Sequence, residues 1–178
     1  MSGDHPRWPL RDFFAGVAEY TFEARLGIAD PPLIDYIADL LARFIHADAL
    51  YNVRSPAGNR LGEIGLLLAE ADARVGDARR DVHRHIGDFA LFWTGVYPEA
   101  LGQAPHAEAK HTRFTDYCTH GKRAYHIAST IPSETDPSSN ELLERLSEEF
   151  ELCAFGLSEA RKEWERRDGG RGQLVVFN

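Results

Sequence analysis

Cysteine is scarce in this chain: Cys118 and Cys153 are the only two among 178 residues. They are not spaced as Cys-x-x-Cys, which supports neither a zinc knuckle nor a disulfide framework, and both are expected to be reduced. Long apolar runs are also missing. Phe13 to Val17, Gly65 to Ala69 and Phe89 to Trp93 are a few residues each, far below the ~20 that a transmembrane helix needs. No membrane span is expected. The opening Met-Ser-Gly-Asp-His-Pro-Arg-Trp-Pro carries charge and two prolines where a secretory signal needs a continuous apolar stretch. A cytoplasmic location is the expectation.

Positive charge is in short supply too. Twenty Lys and Arg stand against 28 Asp and Glu, a net charge of −8. Glu134 to Asp168 alone holds 11 acids and 5 bases, so most of the excess lies in the last helical stretch. A nucleic-acid binder displaces counterions with a basic face, and only short pairs such as Arg79-Arg80 are found here, which argues against DNA or RNA as a partner. Gly-x-Ser-x-Gly, Gly-x-Gly-x-x-Gly, a Gly-Lys-Ser phosphate loop and His-Glu-x-x-His are all absent. Hydrolase and nucleotide-binding classes lose their support, and no cofactor is expected.

What is present is helical periodicity. With 43% hydrophobic and 27% charged residues, the chain has an ordinary globular composition and can bury roughly two thirds of its unfolded surface. Breakers at Pro31-Pro32, Ser55 to Asn59, Gly76, Pro98 to Pro105 and Pro132 to Asn140 divide it into five or six periodic segments. The reading is all-α: a single-domain helical bundle over 10–168, with tails 1–9 and 169–178 and strand content near zero.

The first segment, 12–27, puts Phe13, Val17, Tyr20 and Ala24 on one stripe. Asp30 can cap a second helix, with Pro31 and Pro32 in its first turn, running to about Tyr51. A third covers roughly 60–75, a fourth 77–96 and a fifth 106–129. The sixth runs unbroken from near Ser138 to before Gly169. A hairpin around Leu50 to Leu61 and a strand at Gln173 to Phe177 are read as coil or edge structure. Gly87, Ala90 and Thr94 on the fourth helix, and Gly121, Ala124 and Ala128 on the fifth, each form a ridge of small residues. These two helices are expected to cross closely.

Candidate chemistry falls on the same helices. The fourth is apolar nearly all round in its second half, so its polar residues need partners. Asp81, His85 and Asp88 lie at i, i+4 and i+7, one ridge with an imidazole between two carboxylates, an acid/base arrangement. The plainer alternative is a satisfied polar ridge paired with an arginine. Six of eight histidines lie between His83 and His126, and Glu108-Ala109-Lys110-His111 matches one half of a Glu-x-x-His di-metal motif. With His85, Glu108 and His111 are the metal-ligand candidates. However, Phe114, Tyr117, Cys118, Gly121, Tyr125 and Ala128 set the inner side of that helix, and Glu108 points away from them. Asp48 falls on the apolar side of the second helix and needs a partner such as Arg54 or Arg60. Were it beside the His85 ridge, the two would form a site.

The stretch Gly87-Asp88-Phe89-Ala90-Leu91-Phe92-Trp93-Thr94-Gly95-Val96-Tyr97-Pro98-Glu99, followed by Gly121-Lys122-Arg123-Ala124-Tyr125, resembles segments of bacterial helical proteins of unknown function. The resemblance implies no activity, partner or binding residue.

The last helix carries apolar residues on two faces. Leu152 and Phe155 stand off the stripe through Leu146, Phe150 and Cys153, on a side made acidic by Glu141, Glu148 and Glu151. The leading expectation is a helical protein that acts through a protein partner or as a homodimer by way of Leu152 and Phe155. The alternative is a metal- or small-ligand-binding bundle enzyme built on Asp81, His85 and Asp88, with Trp93 and Tyr97 as walls.

Overall fold

The computed structural model describes residues 7–45, 64–101, 107–136 and 139–167. Eight α-helices and one π-helical stretch lie among them, and no strand does. In order they are α1 (Arg7–Glu19), the π-helical Tyr20–Arg25, α2 (Pro31–Phe44), α3 (Ile64–Asp72), α4 (Gly76–Gly95), α5 (Pro98–Leu101), α6 (Ala107–Thr130), α7 (Ser139–Glu148) and α8 (Phe150–Arg167). The all-α reading holds. Asp48, the Leu50 to Leu61 segment and the Gln173 to Phe177 stretch fall outside the described residues.

Helix starts follow the local chemistry. Asp30 caps α2 by accepting the Leu33 amide at 3.2 Å, with Pro31 and Pro32 filling first-turn positions that need no intrahelical N–H. The same carboxylate takes a hydrogen bond from Arg145 of α7 at 3.2 Å, so the cap also ties two helices together.

The first stripe differs from expectation. Phe14, Val17, Ala18, Thr21 and Phe22 are buried, while Tyr20 and Ala24 are exposed. Phe14 sits edge-on to Trp164 of α8 at 5.4 Å and takes the inner place, leaving Phe13 partly buried beside it. Beyond Glu19 the hydrogen bonds lengthen by one residue, as in Leu26 N to Thr21 O at 3.1 Å. That wider turn rotates Phe22 inward and Ala24 outward, while Tyr20, where it begins, already lies off the face of Phe14, Val17, Ala18 and Thr21. Gly27, at φ 69°, then turns the chain toward α2.

Helix α4 runs through the middle of the described structure. It packs most extensively on α6 and also meets α2, α3 and α8. Residues 85–92 are all buried, as an all-round apolar half requires. The expected close crossing of α4 and α6 is present. A Cβ at Gly87 would lie 2.5 to 2.7 Å from atoms of the Tyr125 ring, and one at Gly121 would lie 2.5 to 2.6 Å from atoms of the Phe150 ring and 2.8 Å from the Ala90 Cβ. Only hydrogen fits at either point.

The sixth expected helix is two. Helix α7 ends at Glu148 and α8 opens at Phe150, yet Glu149 N bonds Arg145 O at 2.8 Å and Cys153 N bonds Glu149 O at 2.9 Å. The helical bonding therefore carries through a local kink, placed where Phe150 turns into the notch at Gly121. On the far side of α8, Arg161 lies over the Tyr97 ring at 4.5 Å and donates to Val96 O at 2.7 Å. It thereby satisfies a carbonyl at the C-terminal end of α4.

Candidate functional site

Asp88 is the most deeply buried carboxylate among the described residues. Its position midway along α4 puts a carboxylate, 1% exposed, among Phe89, Leu91 and Phe92. An unpaired charge there would be prohibitively costly, so donors must converge on it. Three do. Tyr36 of α2 donates its hydroxyl to Oδ1 at 2.5 Å, Tyr125 of α6 donates to the same oxygen at 2.7 Å, and Arg43 of α2 donates from Nη2 to Oδ2 at 3.2 Å. Tyr36 and Arg43 are seven residues apart and share one ridge of α2, which is why a single helix can grip both oxygens.

The electrostatics are mutually consistent. Burial, and then the adjacent Asp88 charge, push both phenols well above their ordinary range, so each remains a donor. Burial works against the Arg43 charge, but Asp88 more than compensates and raises its pKa overall. The Arg43 guanidinium also sits 5.2 Å from the Phe44 ring centre and is partly exposed. It connects the buried carboxylate to the surface.

Along the Asp81, His85, Asp88 ridge the surroundings change. Asp81 is exposed, on the outer side of a half of α4 whose Arg80, Val82 and His83 are buried. His85 is buried, edge-on to Phe44 at 5.9 Å and near Phe89 at 6.2 Å. Both oxygens of Asp88 are already held by tyrosine and arginine. The carboxylate thus works as a three-helix clamp, closer to the satisfied polar ridge with an arginine than to a catalytic pair. Tyr36 and Arg43 are the partners that the sequence did not single out.

Among the described residues, no group of three or more His, Cys, Asp or Glu side chains could hold a metal ion. Glu108 and His111 lie on α6, with their side chains outside the described set. His126 of the same helix faces outward and pairs with Glu144 at 3.0 Å. Cys118 and Cys153 are free and buried, and burial pushes their thiols up to about 11 and about 12. They are packing residues, as their stripe positions implied.

On α8, Leu152 and Phe155 are 42% and 53% exposed. They are one turn apart among Glu148, Glu149 and Glu151, all exposed. Glu151 also lines an open groove of about 460 Å³ between α6 and the start of α8, whose other walls include Lys122, Arg123, His126 and Ser147. Lys122 and Glu151 pair across it at 2.9 Å. Phe155 follows Glu151 by one turn of α8.

No protein-family model, no curated protein and no solved structure matches this chain. Function must be argued from the geometry alone. Among the described residues, no helix is long and apolar enough to cross a membrane.

Proposed function

We propose that this chain is a non-enzymatic helical interaction module of the cytosol, which self-associates as a two-fold dimer through the α8 face bearing Leu152 and Phe155. The observation that carries the reading is the exposure of these two side chains on an otherwise charged face. Full burial of a Leu or Phe is worth roughly 1.5 to 3 kcal/mol, and each of these two forfeits a substantial part of it in the monomer. A two-fold contact lets the same patch meet itself. Arg123 lines the groove at the start of α8 and Glu148 is exposed on the preceding turn, so both signs of charge are available to match across the axis. Arg145 and Arg161 do not serve that purpose: they are engaged within the chain by Asp30, and by Glu99, Glu165 and Val96. Two free, buried cysteines suit a reducing compartment.

Sedimentation equilibrium at tens of micromolar tests the reading. Twice the 20.0 kDa chain mass is expected for the wild type and the single mass for Leu152→Ser, Phe155→Ser. A monomeric wild type removes the dimer; an unchanged dimer in the variant removes this face. Stoichiometric iron, zinc or manganese in tag-free protein would instead favour the ligand-binding bundle.

A further inference from the structure

Among the described residues, no carboxylate pairs with the buried cation Arg80. It is 3% exposed, and its Nη2 donates only to neutral oxygens, Ser139 Oγ and Asn140 Oδ1, the latter at 2.8 Å. Its Nε–H has no partner. One turn along α4, His83 is 2% exposed and neither ring nitrogen has a hydrogen-bond partner. Arg79, on the neighbouring ridge, also has a buried Nε–H without an acceptor; its nearest acid is Asp72 of α3, at 4.0 Å. Arg80 and His83 are therefore buried with ring or guanidinium nitrogens unanswered among the described residues, and the half-exposed Arg79 adds a buried Nε–H beside them. An unsatisfied buried donor costs about 1 to 3 kcal/mol, and more when charged, so such a concentration calls for an acceptor that the described residues do not supply.

We propose that Arg79, Arg80 and His83 form a binding site for a phosphate-type oxyanion, either free or as the end group of a larger molecule. A tetrahedral dianion accepts from several directions at once, which suits donors spread over two ridges better than the flat fork of a carboxylate does. The cluster is close to the surface. Ser139 and Asn140 are partly exposed and the Arg79 side chain is 41% exposed, so an anion reaches Arg80 by displacing its two neutral partners. Those partners open α7, whose first-turn amides add a favourable dipole. Of the acids of this half of α4, Asp81 is exposed and turned about 100° away from Arg80, and Asp77 is exposed one turn before it.

Burial first, and then the Arg79 charge, hold the His83 imidazole below its ordinary range, with Arg123 of α6 acting in the same direction and Asp72 against it. An anion adds negative charge at that point and must move the His83 pKa upward.

The test follows His83 imidazole signals by NMR while full-length protein is titrated with inorganic phosphate and, separately, phenyl phosphate, each against chloride at equal ionic strength. The expected result is saturable shifts at His83, a rise in its pKa on saturation, and binding weakened at least about tenfold in Arg80→Gln. Tighter binding of the ester assigns the site to an end group; equal binding assigns it to the free ion. Should Arg80→Gln fail to fold, Arg79→Gln serves as the second variant, with the same loss expected. Absence of saturable shifts in the wild type with both anions, or unchanged affinity in the variant, overturns the site.

Discussion

Tyr36 of α2 and Tyr125 of α6 donate to the same oxygen of Asp88, Oδ1, at 2.5 and 2.7 Å. Helices α2, α4 and α6 are thereby fixed by one carboxylate. Removing either hydroxyl leaves a buried charge with one donor fewer. Tyr125→Phe and Tyr36→Phe are each expected to destabilise the fold by about 1 to 3 kcal/mol. Because the two hydroxyls answer one oxygen, the double variant should depart from additivity. Urea unfolding of the four proteins measures both quantities. Losses below about 0.5 kcal/mol for both single variants would show that Asp88 does not depend on the phenols.

The second prediction concerns Gly87, one residue before Asp88. A Cβ there would enter the Tyr125 ring at 2.5 to 2.7 Å, and the ring cannot retreat without pulling its hydroxyl from Asp88. Overpacking of this kind costs about 1 to 3 kcal/mol, against a gain of up to about 1 kcal/mol from replacing a helical glycine. Gly87→Ala is therefore expected to be net destabilising, and less so in a Tyr125→Phe background, where the ring is no longer pinned. Gly65 supplies the control: nothing lies within 4 Å of its Cβ position, so Gly65→Ala should be neutral or stabilising. Equal effects at the two glycines would refute the contact.

Much of this architecture is legible in residue spacing. Asp30 with Pro31 and Pro32 marks a helix start by chemistry that acts within four residues, and the cap forms as read. The small ridges at Gly87 and Gly121 identify the α4 and α6 crossing because close approach needs the absence of side chains. What is not legible is tertiary. The apolar half of α4 shows that Asp88 needs donors, but no local pattern says that Tyr36, Arg43 and Tyr125 supply them. The ridge through Asp81, His85 and Asp88 is real as a helical spacing. Its members differ in depth, Asp81 being exposed and His85 and Asp88 buried, and depth along a helix is set by neighbours rather than by period. The π-helical turn at Tyr20–Arg25 misleads for a related reason: a rule of 3.6 residues per turn keeps Ala24 on the stripe of Val17, whereas the wider turn carries it outward and Phe22 inward.

The last prediction is a pH dependence at the end of α8. Glu163 is 4% exposed; Arg166 donates to its Oε1 at 2.6 Å and to its Oε2 at 3.1 Å, and Arg167 donates to Oε1 at 2.7 Å. These charge-assisted bonds, Arg166 first, hold the Glu163 carboxyl down to about 2. A folded-state value below the ~4.3 of an unfolded chain means that the carboxylate stabilises the fold fully above that unfolded value. The contribution declines as pH falls between the two and is gone once pH passes below the folded value. The bond has a structural reach, since Arg167 also lies over the Tyr20 ring at 5.5 Å and so joins α8 to the π-helical turn. Glu163→Gln should therefore unfold at lower urea than the wild type at pH 7, with the same difference at pH 6. The gap should narrow steadily from about pH 4.5 downward, as the wild type loses what the variant never had. Urea midpoints for both proteins at pH 7, 6, 4 and 3 decide the matter, and a gap at pH 3 as wide as that at pH 7 would mean that Glu163 is not held by its arginines.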